Sequence, residues 1–151
     1  MVVRYSKWVD RGLLVARIAL GVVFIAHGWQ KLAIMGYPAV TGFVGSLGIP
    51  FPAVGAALLI AAELGGGLML LAGALTRFAG LMLLVDMIVA AVTVHLAGGF
   101  FLPKGFEYTF TLGLISLALM MTGAGRYSID ALVTRNRLRV GTHERQYPKA
   151  A

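Results

Sequence analysis

Six ionisable side chains lie inside stretches of sequence that are otherwise almost wholly apolar: Arg17, His27, Lys31, Glu63, Asp86 and His95. A seventh, Glu107, stands where a further apolar stretch begins. A charge at the centre of a bilayer costs about 2.5–3.5 kcal/mol on insertion scales, so each such residue needs a partner or a task. Histidine, lysine and carboxylate side chains gathered in an apolar setting can hydrogen-bond a ligand's oxygens and pass protons to it. A quinone headgroup suits such a pocket, because its carbonyls accept hydrogen bonds and its reduction takes up protons. An arginine facing an aspartate, by contrast, can fix helix register without doing chemistry.

Other chemistries are excluded by residue type. The chain has no cysteine, which removes disulfides, thiolate metal sites, covalent haem and CxxC exchange. His27 and His95 show neither HxxxH nor ExxH spacing, so no metal site is expected. Gly65, Gly66 and Gly67 sit inside an apolar run, where close helix packing accounts for them better than a phosphate loop does. With no haem, flavin or iron–sulfur signature, any electron transfer requires a partner protein and any cofactor is non-covalent, a quinone being the candidate.

The elements that must carry these residues follow from composition. Of 151 residues, 59% are hydrophobic and only 13% charged, about half the charge of an ordinary soluble domain. Apolar stretches run from about Gly12 to Ile34, Ala53 to Leu75, Phe78 to Phe101 and Tyr108 to Thr122. A crossing needs about 20 residues, and the last stretch reaches that length if it extends from Phe106 to Arg126. Unbroken runs of this length, in a solvent that cannot satisfy backbone polar groups, are helices. Between the first two, Val40, Phe43, Val44 and Leu47 recur at helical spacing, which predicts a short interfacial or re-entrant helix over Ala39–Leu47. The expected fold is all-α: an integral membrane four-helix bundle over residues 12–126, with a segment 1–11 before it and a basic tail 127–151 after it.

Depth and face then sort the ionisable residues. At about 1.5 Å per residue, Glu63 falls roughly 15 Å down the second helix, Asp86 roughly 12 Å into the third and Arg17 about 7 Å into the first. Arg17, Gly21, Phe24, Gly28 and Lys31 share one side of the first helix, and its glycines admit a close neighbour. Arg17 and Asp86 are therefore expected to form a structural ion pair, with Glu63 joining Arg17 or staying protonated. His27, Lys31, Glu63, His95 and Glu107 are expected to form a ligand pocket or proton relay in the outer half. The glycine stripes also allow a homo-oligomer.

Charge sets the orientation. Ten Lys and Arg fall in the two terminal segments and the turn at Arg77, against Lys31 and Lys104 on the other side. The positive-inside rule places both termini in the cytoplasm. The run Arg135, Arg137, Arg139 is read as a contact for anionic lipid headgroups and not for nucleic acid.

The pattern resembles the DoxX family of small bacterial membrane proteins. The resemblance rests on Arg17-x3-Gly21, His27-Gly28-x2-Lys31-Leu32, Gly48-Ile49-Pro50, Glu63 among its glycines, Arg77, Gly105-Phe106-Glu107-Tyr108 and Gly123-x-Gly125-Arg126-Tyr127-Ser128-Ile129-Asp130. It implies a four-helix protein of the bacterial inner membrane, with partners in a redox complex. Relatives include a subunit of a thiosulfate:quinone oxidoreductase and a membrane partner in an oxidative-stress complex. The reading drawn from residues and resemblance together is a membrane component of a quinone-linked or oxidative-stress redox system. A scaffold docking proteins through the basic tail, or a small-solute or ion carrier using Glu63 and Asp86, are its rivals.

Overall fold

The computed structural model describes residues 7–135. Arg137 and Arg139, to which with Arg135 lipid-headgroup contact is assigned from sequence, lie outside the described residues, as do Arg4, Arg145 and Lys149. Among the described residues the regular structure is helical throughout.

Helix α1, Lys7–Trp29, runs on into a π-helical turn, Gln30–Met35. Helix α2, Tyr37–Ser46, is the short helix expected between the first two apolar stretches, and begins earlier than its apolar spacing implied. Pro38 in its first turn has a preset φ and lacks only an N–H that would be unpaired there. Helix α3, Pro52–Ala72, also opens on a proline. Helix α4, Thr76–Ala90, passes into a second π-helical turn, Ala91–His95, and a 3-10 turn, Leu96–Gly98. Helix α5 spans Glu107–Thr122, and residues 129–135 are again helical. Two of these rods are long and apolar enough to cross a membrane: Pro52–Ala72 and Thr76–Gly98, with mean hydropathies of 2.0 and 2.1. Helix α1 has 23 residues and α5 has 16.

Helix α1 packs on α3, α3 on α4, and α4 on α5, with α1 also touching α5 and α2 lying on α3. The α1–α3 contact is made possible by Gly21 and Gly67. A Cβ on either one would fall 2.9 Å from the other's carbonyl oxygen, so the two backbones meet with no room for a side chain. As the spacing predicted, Arg17, Gly21, Phe24 and Gly28 are all buried along one side of α1.

The polarity of the molecule is turned outward from that of a water-soluble bundle. Its interior holds Leu20, Phe24, Leu70, Leu83 and Leu119 together with the charged or polar Arg17, Glu63, Thr76 and Ser116. Its exterior presents Val22, Leu58, Leu68, Val85, Ile88 and Leu114. Hydrocarbon surroundings select that arrangement, since they reward exposed aliphatic surface and penalise exposed charge.

At one end, the start of α1, the α3–α4 turn and residues 123–130 interlock. Gly73 ends α3 in the left-handed region at φ 65°, which glycine enters without a Cβ penalty. The next helix starts at Leu75, whose own side chain cannot cap it. Asp130 does so instead, accepting the N–H of Leu75 at 2.8 Å and of Thr76 at 3.0 Å. Its own N–H donates to Gly73 O at 2.9 Å. Asp10, buried on α1, accepts the N–H of Arg126 at 3.0 Å. Residues 127–130, assigned to the tail from sequence, thus pack into the body of the protein.

Candidate functional site

The strongest polar contact in the interior joins Lys31 to Glu63. Nζ of Lys31 lies 2.8 Å from Oε1 and 2.8 Å from Oε2 of Glu63, with the two side chains 18% and 5% exposed. Glu63 reaches the interior because its face of α3, with Ala56, Ile60, Gly67 and Leu70, is buried. Lys31 reaches it from the π-helical turn that continues α1. Lys31 thus stays on the side of α1 that carries Arg17, Gly21, Phe24 and Gly28, the side that packs on α3.

Two further groups act on this pair. His27, on α1, is within electrostatic reach of Glu63, and its ring sits 6.2 Å from that of Tyr108 on α5. Asp86, on α4, is within electrostatic reach of both Glu63 and Lys31. One oxygen of Asp86, Oδ2, is buried with no hydrogen-bond partner. The register of α3 against α4 explains the approach. Gly66 packs against Leu83, its would-be Cβ 2.9 Å from the leucine Cγ. In an antiparallel pair, stepping one turn away from that contact on each helix brings Glu63 and Asp86 to one level and one face.

The expected ion pair of Arg17 with Asp86 does not form. Arg17 is fully buried, but its guanidinium donates to the carbonyl of Leu70 at 3.5 Å and to the carbonyl of Tyr127. The reason is depth. Arg17 lies level with the α3–α4 turn, whereas Asp86 stands ten residues into α4, roughly 15 Å away along the axis. Glu63, ten residues up α3 from Gly73, is equally remote from Arg17, on which Asp130 acts as the counter-charge. Arg17 is therefore a tie for the end of the molecule, and Asp86 belongs with Glu63.

The outer set also divides. His27, Lys31 and Glu63 come together, but His95 and Glu107 serve the loop that follows α4. His95 Nδ1 lies 3.3 Å from Lys104 O, and Glu107 Oε1 accepts the N–H of Leu102 at 3.0 Å. The π-helical turn at Ala91–His95 alters the angle that an ideal helix would place between Asp86 and His95. It turns His95 to the loop.

Sequence reasoning passed over Asp10, and named Asp130 only as the close of a motif, with no role assigned to it. Asp130 is separated by 54 positions from the Thr76 N–H it caps, so no local spacing advertises it. Ser128 offers the one readable signal. Its Oγ accepts the N–H of Ala131 at 3.1 Å, as a serine placed before a helix commonly does.

Chemically, one amine and two carboxyl groups from three chain elements, with an imidazole beside them, can hold and pass a proton. Between α4 and α5 is an open groove of about 300 Å³ lined by Leu84, Met87, Ile88, Ala91, Phe110 and Gly113 among others, with none of His27, Lys31, Glu63 or Asp86 in its walls. Its walls suit an aliphatic chain. Among the described residues, no group of three or more His, Asp or Glu is placed to hold a metal ion.

The comparisons with known proteins agree in kind. The chain is similar to "Putative oxidoreductase CatD" of Bacillus subtilis, with 32% identity over 132 residues, covering 87% of this chain and 94% of that protein. It is 36% identical over 135 residues to "Inner membrane protein YqjF" of Escherichia coli, covering 86% of this chain and 98% of the relative. "Inner membrane protein YphA" of the same organism is 27% identical over 124 residues, covering 78% and 87%. No solved structure matches. The DoxX family model matches residues 12–96, a stretch that carries Arg17, His27, Lys31, Glu63 and Asp86, and the chain belongs to the DoxX family.

Proposed function

We propose that this chain is a multi-pass component of the bacterial cytoplasmic membrane that handles protons for a quinone-linked or oxidative-stress redox reaction. In this reading α1, α3, α4 with its continuation, and α5 cross the bilayer as a four-helix bundle, and α2 lies at the outer interface. Both termini and the α3–α4 turn are cytoplasmic, as the excess of Lys and Arg on that side requires. Lys31, Glu63 and His27 form the working site. A quinone-like headgroup would exchange protons there, with its apolar chain along the α4–α5 groove, and a partner protein would supply electrons.

The observation that carries this reading is the Lys31–Glu63 ion pair, drawn from two helices into an apolar interior and held at 2.8 Å. Intramembrane ionisable residues mark proton and ligand paths more often than they serve packing. The name of the Bacillus subtilis relative, an oxidoreductase, points the same way. The test is Glu63→Gln expressed in place of the wild-type chain, with tolerance of oxidants and co-purifying quinone both measured. Loss of tolerance and of bound quinone is the expected result. Wild-type tolerance together with a quinone-free wild-type preparation would overturn it.

A further inference from the structure

We propose that Asp86 carries the exchangeable proton of the Lys31–Glu63 site, so that the cluster is held as one ammonium, one carboxylate and one carboxylic acid. The inference deepens the proton-handling reading above and rests on it for its use. The location of the proton, however, can be measured whether or not the site serves a redox reaction.

The argument is one of charge and occupancy. Glu63 and Asp86 are brought to one level by the Gly66–Leu83 contact between α3 and α4. The charged groups acting on Asp86 are Glu63 from α3 and Lys31 from the turn that continues α1, and α5 contributes none. His27 acts on Glu63. Lys31 is committed to Glu63, with Nζ 2.8 Å from both of its oxygens. A buried oxygen without a hydrogen-bond partner occurs in both carboxyls, Oε2 of Glu63 and Oδ2 of Asp86, but among the described residues only Glu63 has an ammonium in ion-pair contact. With Lys31 already in contact with Glu63, a second ionised carboxylate beside the pair lacks a counter-charge of its own, and such a group in apolar surroundings neutralises by taking up a proton. One cation therefore balances Glu63, and a proton balances Asp86.

The assignment also says how the site could move a proton. If Asp86 releases it, two carboxylates face one ammonium, and Lys31 is drawn from Glu63 towards a position between them. Release from this cluster is thus tied to a displacement of Lys31, the one long and partly exposed side chain in it. Proton movement and the Lys31–Glu63 contact are coupled by electrostatics alone.

Infrared spectroscopy of the full chain in lipid membranes at neutral pH tests this directly. A carboxylic acid C=O band that shifts in deuterated water, and that moves when aspartate but not glutamate is labelled with carbon-13 at the side-chain carboxyl, is expected in the wild type. It should vanish in Asp86→Asn. It should also vanish in Glu63→Gln, where Asp86 remains but Lys31 is free to pair with it, so the proposal stays open to refutation even if Asp86→Asn fails to fold. Absence of the band in the wild type, movement with labelled glutamate, or survival of the aspartate band in either variant would overturn the assignment. Should the bands behave as stated while both variants keep wild-type oxidant tolerance, the proton site stands and the redox reading falls.

Discussion

Lys31 Nζ lies 2.8 Å from each carboxylate oxygen of Glu63, donating a hydrogen bond to Oε1, across the interface between α1's continuation and α3. Removing one partner of such a buried pair strands the other, which costs about 3–5 kcal/mol in proteins where it has been measured. Replacing both with apolar or neutral groups of similar volume is often close to neutral. Lys31→Met alone should therefore lower stability by about 3 kcal/mol, and Lys31→Met with Glu63→Gln should recover most of it. Thermal unfolding of the three proteins in one detergent checks this. A double variant no more stable than the single one would mean that the pair contributes nothing by being a pair.

The interlocked end yields a second expectation. Asp130 supplies the only side-chain cap that α4 receives among the described residues, taking two backbone N–H groups. Losing a helix cap costs typically about 1 kcal/mol and up to about 2. Asp130→Ala should fall at the upper end of that range, because two donors are left unpaired. Faster hydrogen exchange at the amides of Leu75 and Thr76 would locate the loss. Unchanged exchange there would show that the cap is dispensable.

Gly65, Gly66 and Gly67 adjoin in sequence but meet different surroundings. A Cβ on Gly65 finds nothing within 4 Å, one on Gly66 comes 2.9 Å from the side chain of Leu83, and one on Gly67 comes 2.9 Å from the backbone oxygen of Gly21. Gly65→Ala should be neutral or stabilise by up to about 1 kcal/mol through helix propensity. Gly66→Ala should cost about 1 kcal/mol, because a buried leucine must shift, and Gly67→Ala about 2–3 kcal/mol, because two backbones must part. Melting temperatures in that order check the packing of α1 on α3.

A fourth expectation separates the loop from the site. His95 and Glu107 bond to Lys104 O and Leu102 N–H, not to the Lys31–Glu63 pair. Glu107→Gln should cost about 0.5–1.5 kcal/mol, the worth of an ordinary hydrogen bond, and leave oxidant tolerance intact. His95→Ala should do the same. Tolerance assays beside those on Glu63→Gln decide the matter; loss of tolerance in either loop variant would return these residues to the site.

How far the sequence could be read depended on whether a fixed period governed the residue. Arg17, Gly21, Phe24 and Gly28 were legible as one buried side, because an α-helix repeats every 3.6 residues and nothing interrupts it there. Lys31 and Glu63 were legible as candidates because charge in an apolar run is costly. Their sharing of one pocket was legible as well, but the ion pair itself was not, since which side chains of a pocket close to 2.8 Å is set by the packing of α1 on α3. Arg17 misled for a related reason. Its acceptors are the backbone carbonyls of Leu70 and Tyr127, and carbonyls are carried by every residue alike. Asp86 was assigned by depth on an idealised helix, and the contact of Gly66 with Leu83 sets its true level.

Arg17 and Tyr127 are 110 residues apart, and that separation has a meaning for biogenesis. On the ribosome, Arg17 emerges when most of the chain is still unmade, so its guanidinium enters the membrane without the acceptor that finally holds it. The Leu70 carbonyl comes first, and only when residues 123–130 arrive do Asp10, the second acceptor of Arg17 and the α3–α4 turn fall into place. A nascent chain halted before that point leaves the Arg17 guanidinium with the Leu70 carbonyl alone, and its first helix is not yet tied to the end of the molecule.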